Sequence, residues 1–532
     1  MTTRWMTLIS SILLLAPSVA RSGPALKLLP PRHVEGADNI LDINYLQAWR
    51  DVLHCNKKGR DYQTRLNVHV PKGPGPFPCL VFVHGGGYGE GHKDIDGPAT
   101  GGGGYLLDHA VKHGFAAVNV NYILGGEVMP QVYYDFRAAI RFVRENAEKF
   151  RIDPCRIGAW GHSAGGWLIS SCSYVDAGHL LLNGRSAVPN GWLPMLPAEA
   201  GQAPGQDARA NVLRSMRKDT FLLPSDDPRP LYASRSSRLQ AIAFDFGDNF
   251  HALSPDDAAT ITFAGEGFDL AKLSAPYKAQ GVDLAVAVCL DPRAKGQNVL
   301  HCPNFKGPSV GEDGSTPMTV YDRVFQFFKR QLVDDPRTPA VEFRPIRRWF
   351  ADRVEIELVA PAPDIAVHYT VDGTEPTESS PRYGKPFAIA KTTTIKTLAV
   401  RKGWRPAGVA AATFFTGHST PVITGPENLP KAKVGQPYSV AFRTEDAKPA
   451  VWQLMFAVSG WEVPELAAQR KAVGNRAREE GNVAIVGLAM DRNRGTLSGI
   501  PTVAGNFVMT VQAGWEYRRV ADTRTYVLEI EP

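Results

Sequence analysis

The sequence predicts an α/β fold, a mostly parallel sheet with helices on both faces, followed by two small all-β sandwiches. Three observations predict it. Apolar runs of strand length recur up to Leu290, and between two of them apolar residues fall at helical spacing. Glycine-rich motifs directly follow two of those runs. Beyond Leu332 the chain turns to short strand-like segments separated by turn residues, as antiparallel sandwiches require. At 532 residues it is too long for one compact core, and about two to four domains are expected.

Residues 1–20 read as an export signal. Arg4 precedes an apolar stretch from Met6 to Ala16, too short to span a bilayer, and Pro17-Ser18-Val19-Ala20 supplies small residues for cleavage after Ala20. The mature chain is therefore expected to be secreted or periplasmic, with no later transmembrane segment.

The α/β unit is placed at 25–333. Leu66, Val68 and Val70 alternate with polar residues, as an edge strand does, and Pro71-Lys72-Gly73-Pro74-Gly75-Pro76 ends the run. Buried strands are expected at 79–83, 115–120, 156–160, 239–244, 259–264 and 284–290. Phe136, Ala139, Ile140, Val143 and Ala147 mark the inward face of a helix that stops before Asp153-Pro154. Thr316-Pro317 is expected to cap the last helix, whose apolar positions include Val320, Val324, Phe325 and Phe328. The Pro-, Gly- and Arg-rich segment 175–236 would lie over the C-terminal edge of the sheet, as a lid or substrate wall.

The run 79–83 delivers the chain into His84-Gly85-Gly86-Gly87, and 157–160 delivers it into Gly161-His162-Ser163-Ala164-Gly165. The pair supplies both halves of an acyl-transfer site. In a sharp strand-to-helix reversal, Gly161 and Gly165 remove side chains where backbones cross and leave the Ser163 hydroxyl presented as nucleophile. The amides of Gly85, Gly86 and Ala164 can then face the oxygen that becomes negative in the tetrahedral intermediate. Each such donor contributes roughly 3 kcal/mol to lowering the barrier.

Residues 62–332 resemble the α/β-hydrolase fold, and in particular bacterial feruloyl- and acetyl-ester hydrolases and hormone-sensitive-lipase-like esterases. The resemblance rests on Val81-Phe82-Val83-His84-Gly85-Gly86-Gly87-Tyr88, Val120-Asn121-Tyr122, the helix from Asp135 to Ala147, Ile152-Asp153-Pro154 before Arg156-Ile157, and Gly161 to Gly166. It departs from the pattern at Ile123, where such enzymes often carry arginine. In that fold the triad acid and then the histidine follow the serine. The first histidine after the last core strand is His301, in Leu300-His301-Cys302-Pro303-Asn304-Phe305. The acid belongs in Gly265-Glu266-Gly267-Phe268-Asp269, where the usual spacing falls on Phe268. Asp269 is favoured, Glu266 is the alternative, and Asp248 is a weaker third. His84 and His162 lie inside the motifs and are expected to shape the turns.

The stretch Asp334-Asp335-Pro336-Arg337-Thr338-Pro339 reads as a linker. Residues 340–416 follow, and their Tyr369-Thr370-Val371-Asp372-Gly373-Thr374-Glu375-Pro376-Thr377 resembles the sandwich at the C-terminus of chitobiase and β-hexosaminidase-like enzymes. Tyr383 and Trp404 are read as core packing ahead of sugar contact. Residues 419–532 resemble an immunoglobulin-like repeat, through Val434-Gly435-Gln436-Pro437-Tyr438 and Gly495-Thr496-Leu497-Ser498-Gly499-Ile500-Pro501. A charged, alanine-rich helical insertion is expected at 465–481.

The net charge of +6 is small for this length, without a dense Lys/Arg block, so nucleic acid is not an expected partner. The six cysteines show no CxxC or metal spacing; Cys79, Cys155 and Cys289 read as core residues, and disulfide partners cannot be chosen. Together the residues imply a secreted serine ester hydrolase that needs neither metal nor cofactor. Its expected substrates are acetyl or hydroxycinnamoyl esters of polysaccharide, and the sandwiches are the candidate polysaccharide or cell-surface contacts. The competing readings are a non-catalytic carbohydrate- or surface-binding protein on a degenerate hydrolase scaffold, and a serine peptidase of the same fold.

Overall fold

The computed structural model describes residues 30–45, 64–87, 91–94, 103–122, 131–174, 238–244, 255–296, 305–312, 314, 317–345, 349–416, 422–445, 451–457, 487–516 and 519–532. The signal segment, the 175–236 insertion, the 465–481 insertion, Ile123, Asp248 and His301 lie outside the described residues.

One ten-stranded sheet organises the first unit. Its strands are β1 (Ala37–Asn44), β2 (Arg65–Pro71), β3 (Phe77–Val83), β4 (Ala116–Val120), β5 (Ile152–Gly161), β6 (Ala241–Phe244), β7 (Ala259–Gly265), β8 (Leu284–Cys289), β9 (Pro308–Gly311) and β10 (Met318–Thr319). They lie in the order β1-β2-β4-β3-β5-β6-β7-β8-β9-β10. Neighbours from β4 to β8 are parallel, and the outer pairings on both sides are antiparallel. Among the described residues five α-helices accompany them: α1 (Gly103–Lys112), α2 (Gln131–Glu145), α3 (Ala164–Tyr174), α4 (Leu270–Gln280) and α5 (Val320–Lys329).

Because successive strand residues point to opposite faces, each central strand feeds two cores. Val81, Val83, Val118, Ile157, Ala159 and Ile242 join Phe136, Ala139, Ile140 and Val143 of α2 and Leu168 and Ile169 of α3. On the other face Leu80, Phe82, Ala117, Trp160 and Ala243 join Leu106 and Leu107 of α1 and Val320, Val324, Phe325 and Phe328 of α5. This two-faced burial makes the runs largely apolar, which is why they were legible as strands.

Two expectations are corrected. The run Leu66 to Val70 is not an edge strand, because β1 pairs along its outer side. Its polar residues are buried: His69 contacts Asn39 Oδ1 at 2.6 Å and Asn119 Oδ1 at 3.2 Å, and the Asn67 amide donates to Asp94 Oδ1 at 2.7 Å. Polar alternation here marks an internal hydrogen-bond network, whereas a solvated face would give the same sequence pattern. The last helix is capped by Thr319, whose hydroxyl accepts the Asp322 N–H at 3.1 Å, because Met318 and Thr319 are first taken into β10. The stretch between this unit and the following sandwich is hydrogen-bonded to that sandwich, through Thr338 N–H to the Arg405 carbonyl at 2.8 Å. Arg405 of the following sandwich donates to Asp283 at 2.8 Å and to Gln331 at 2.7 Å, and its Nε to the Asp335 carbonyl at 3.1 Å.

That sandwich pairs β11 (Glu342–Arg344), β13 (Val354–Val359) and β15 (Phe387–Ile389) in one sheet. β12 (Trp349–Phe350), β14 (Ala366–Thr370), β16 (Thr393–Val400) and β17 (Ala410–Thr416) form the other. Phe343, Ile356, Leu358, Ile395 and Phe414 fill its core, and Cys155 of the first unit is buried with them, so the two units share a packed contact. Tyr383 and Trp404 pack against the same core. The final unit sets Val451–Ala457, Gly505–Glu516, Arg519–Glu531 and Ala432–Lys433 against Tyr438–Ala441, Thr496–Gly499 and Leu488–Asp491 around Trp452, Leu497 and Leu528. Among the described cysteines, Cys79, Cys155, Cys172 and Cys289 are free thiols. No helix among the described residues is long and apolar enough to cross a membrane.

Candidate active site

Ser163 stands between the end of β5 and the start of α3, with φ of +50°. A non-glycine residue rarely occupies this left-handed region, and the strain costs of order 1–3 kcal/mol. The surrounding glycines show what holds it there. A Cβ on Gly161 would collide with the backbone of Gly165 and Gly166, and one on Gly165 with the carbonyl oxygens of Val83 and His84. The Gly165 N–H donates to the His162 carbonyl at 2.8 Å, and the His162 N–H to the Val83 carbonyl at 3.2 Å. The turn is thus pressed onto the end of β3, with Ser163 half-buried at its apex.

Gly165→Ala is therefore expected to push α3 away from β3. Overpacking of this kind costs roughly 1–3 kcal/mol, and a shift of about 1 Å at the reacting groups costs about 10²-fold in turnover. Thermal unfolding and kcat measured together check both effects.

The second motif lies directly against the first. Val83 is in register with Gly161 and with Val120, so both motif turns leave the same edge of the sheet, the C-terminal edge where α/β proteins bind ligands. A Cβ on Gly85 would lie 3.0 Å from the Ser163 Cβ and 2.9 Å from the His162 ring. Glycine is what lets this backbone reach the serine. Ala164, the other expected donor, is the first residue of α3, where backbone N–H groups have no partner within the helix.

His84 shapes this turn. Its Nδ1 lies 2.8 Å from the Gly85 carbonyl oxygen, which can only accept, so Nδ1 carries the proton. Burial lowers the pKa of the ring to about 3, which keeps it neutral at ordinary pH. The ring stacks on Tyr122 at 4.4 Å between centroids, and the Tyr122 hydroxyl donates to the His84 carbonyl at 2.7 Å. Since the Gly85 carbonyl and the Gly86 N–H belong to one planar trans peptide, pinning the oxygen also fixes the direction of that N–H.

Of the acid candidates, Asp269 is exposed and serves as N-cap of α4, its Oδ1 accepting the Lys272 N–H at 3.2 Å. Glu266 is also exposed, and its backbone carbonyl accepts the Gly296 N–H at 2.8 Å. That bond joins the acid loop after β7 to the chain that leads from β8 toward His301. Sequence reasoning did not single out Lys93 and Asp94 beside the glycine turn, or assign roles to Asn121 and Tyr122. A lysine and an aspartate after a glycine-rich stretch ordinarily read as a solvated loop.

The family model BD-FAE matches residues 66–184, which contain both glycine motifs. The first unit has the α/β-hydrolase fold. After this unit, residues 350–410 match the chitobiase/beta-hexosaminidase C-terminal domain. Carboxylesterase NlhH of Mycobacterium tuberculosis (strain CDC 1551 / Oshkosh) is 32% identical over 145 residues, covering 26% of this chain and 37% of that protein. Juvenile hormone esterase of Heliothis virescens is 34% identical, covering 26% of this chain and 28% of that protein. The matched part thus spans between 28% and 37% of these two relatives. Among solved structures, a truncated carbohydrate esterase from gut microbiota overlaps at a TM-score of 0.32 and 15% identity, covering 56% of this chain and 98% of that one. An esterase of Thermogutta terrifontis overlaps at 0.30 and 16% identity, covering 58% and 95%.

Proposed function

We propose that the chain is a secreted serine carboxylic-ester hydrolase acting on acetyl or hydroxycinnamoyl esters of polysaccharides. The observation that carries the reading is the strained Ser163 at a strand-to-helix turn, with the glycine motif packed against it. The matches to the BD-FAE model and to carboxylesterases support ester chemistry, and the chitobiase-type sandwich supports a carbohydrate setting.

In this reading Ser163 Oγ attacks the ester carbonyl while His301 takes its proton, and Asp269 orients the imidazole and stabilises its charged form. The amides of Gly85, Gly86 and Ala164 hold the oxyanion. His301 then protonates the leaving alkoxide. Water, activated by the same imidazole, attacks the acyl-enzyme, releases the acid and restores Ser163. The sandwiches would hold the polysaccharide near the hydrolase.

A second reading, a binding protein on a degenerate hydrolase scaffold, draws on the engagement of Asp269 as a helix cap. Turnover separates the two. Cleavage of aryl acetates, methyl ferulate and acetylated xylan, without cleavage of peptides, is expected from the esterase. Absence of hydrolysis, with retained binding to polysaccharide, would favour the binder.

A further inference from the structure

Beside the glycine turn, between its far end and the outer strands of the sheet, lies a buried charged cluster that the reaction does not use. Lys93 and Asp94 side chains are each 1% exposed and are ion-paired to one another. The other two donors of the Lys93 ammonium go to Asp42 Oδ1 at 2.8 Å and Asn67 Oδ1 at 2.9 Å, so all three are satisfied. Asp94 Oδ1 accepts from the Asn67 amide at 2.7 Å and the Arg32 N–H at 3.0 Å. The Lys93 backbone is held as well: its N–H donates to Asn121 Oδ1 at 2.7 Å, and its carbonyl accepts from the Asn119 amide at 2.8 Å. The cluster thereby ties one short piece of chain to β1, β2 and the end of β4.

Two routes lead from it to the oxyanion turn. Gly91, two residues before Lys93, lies so close to the His84 ring and the Gly85 carbonyl that any Cβ there would collide with both. On the other side, Asn121 precedes Tyr122, which stacks on His84 and bonds its carbonyl. His84 in turn holds the Gly85–Gly86 peptide. A buried ion pair is a weak source of stability compared with apolar residues of the same volume. Its geometric demand is strict, because every donor and acceptor must be met.

We propose that Lys93 and Asp94 are positioning residues for acyl transfer, fixing through Gly91 and Asn121-Tyr122 the turn that carries the Gly85 and Gly86 amides. This rests on the ester-hydrolase reading. The test compares the parent with Lys93→Met, Asp94→Asn and the double variant Lys93→Met/Asp94→Leu, which removes both charges of the buried pair together and leaves, of the Lys93 partners, only the partly exposed carboxylate of Asp42. Active sites are counted by fluorophosphonate titration, so that turnover refers to folded protein alone.

Per titrated site, each variant is expected to lose about 10²-fold in kcat, the cost of misplacing reacting groups by about 1 Å, with KM changed by less than about threefold. Affinity for an alkylboronic acid, which forms a tetrahedral adduct on Ser163, should fall in parallel with kcat. The double variant should regain thermal stability without regaining kcat. Parent-like kcat and boronate affinity in the double variant would reduce the cluster to a structural role and overturn the inference. A parent that neither labels at Ser163 nor hydrolyses esters would instead remove the ester-hydrolase reading itself.

Discussion

Ser163→Ala is expected to lower ester turnover by about 10⁶-fold and to abolish fluorophosphonate labelling, while the folded structure is retained. The residual rate would come from substrate binding and the oxyanion donors, which the substitution leaves in place. Alanine keeps the Cβ, so the left-handed backbone at φ of +50° is as strained as in the parent. Ser163→Gly should be equally inactive yet more stable than Ser163→Ala, by up to about 1 kcal/mol, because glycine enters that region without steric cost. The comparison separates the two roles of the position. If the hydroxyl is the nucleophile and the turn is strained to present it, activity disappears in both variants and stability is higher in the glycine one. Retained turnover in Ser163→Ala would mean that another group performs the attack. Equal melting temperatures would mean that the neighbouring backbone does not enforce the strain.

The legible parts of the fold were those where one physical demand dominates. Runs 79–83 and 157–160 are apolar on both faces because helices cover both faces of the sheet. The glycines of the two motifs were legible because Gly85 and Gly165 occupy places where backbone meets backbone or side chain at contact distance.

What failed was inference from polarity. The alternation of Asn67 and His69 with apolar residues suggested an edge strand, yet both are buried inside the sheet, because Asn39, Asp94 and Asn119 supply their partners from elsewhere in the chain. Such partners are remote in sequence, and no local pattern announces them. Lys93 was overlooked for the same reason: its ammonium is satisfied by Asp42, Asn67 and Asp94, of which only the last is a sequence neighbour. Strand β1 was missed because its burial is mostly partial and its alternation weak, so that pairing with β2 defines it more than composition does.

The acid is where cap chemistry and catalysis can be separated by one atom. Asparagine and aspartate rank alike as N-caps, so Asp269→Asn should preserve the bond to Lys272 N–H and the start of α4 while removing the negative charge. If Asp269 orients His301, kcat falls by about 10⁴-fold, as expected when the triad acid is made neutral, with little change in melting temperature. Asp269→Ala should lose the same activity and, in addition, about 1 kcal/mol of stability from the missing cap. The cap does not exhaust the carboxylate, which carries about four lone-pair sites and uses Oδ1 for Lys272. His301→Ala serves as the reference and should match Ser163→Ala to within about tenfold, since nucleophile and base act as a unit. The opposite pattern, in which Glu266→Gln loses about 10⁴-fold and Asp269→Asn stays within a few-fold of the parent, would transfer the acid's role to Glu266 and leave Asp269 as a helix cap alone. Glu266 is a serious rival because its own carbonyl binds the Gly296 N–H, which ties its loop to the chain that leads from β8 toward His301. The sign of the Asp269→Asn result therefore decides whether the helix cap and the triad share one side chain.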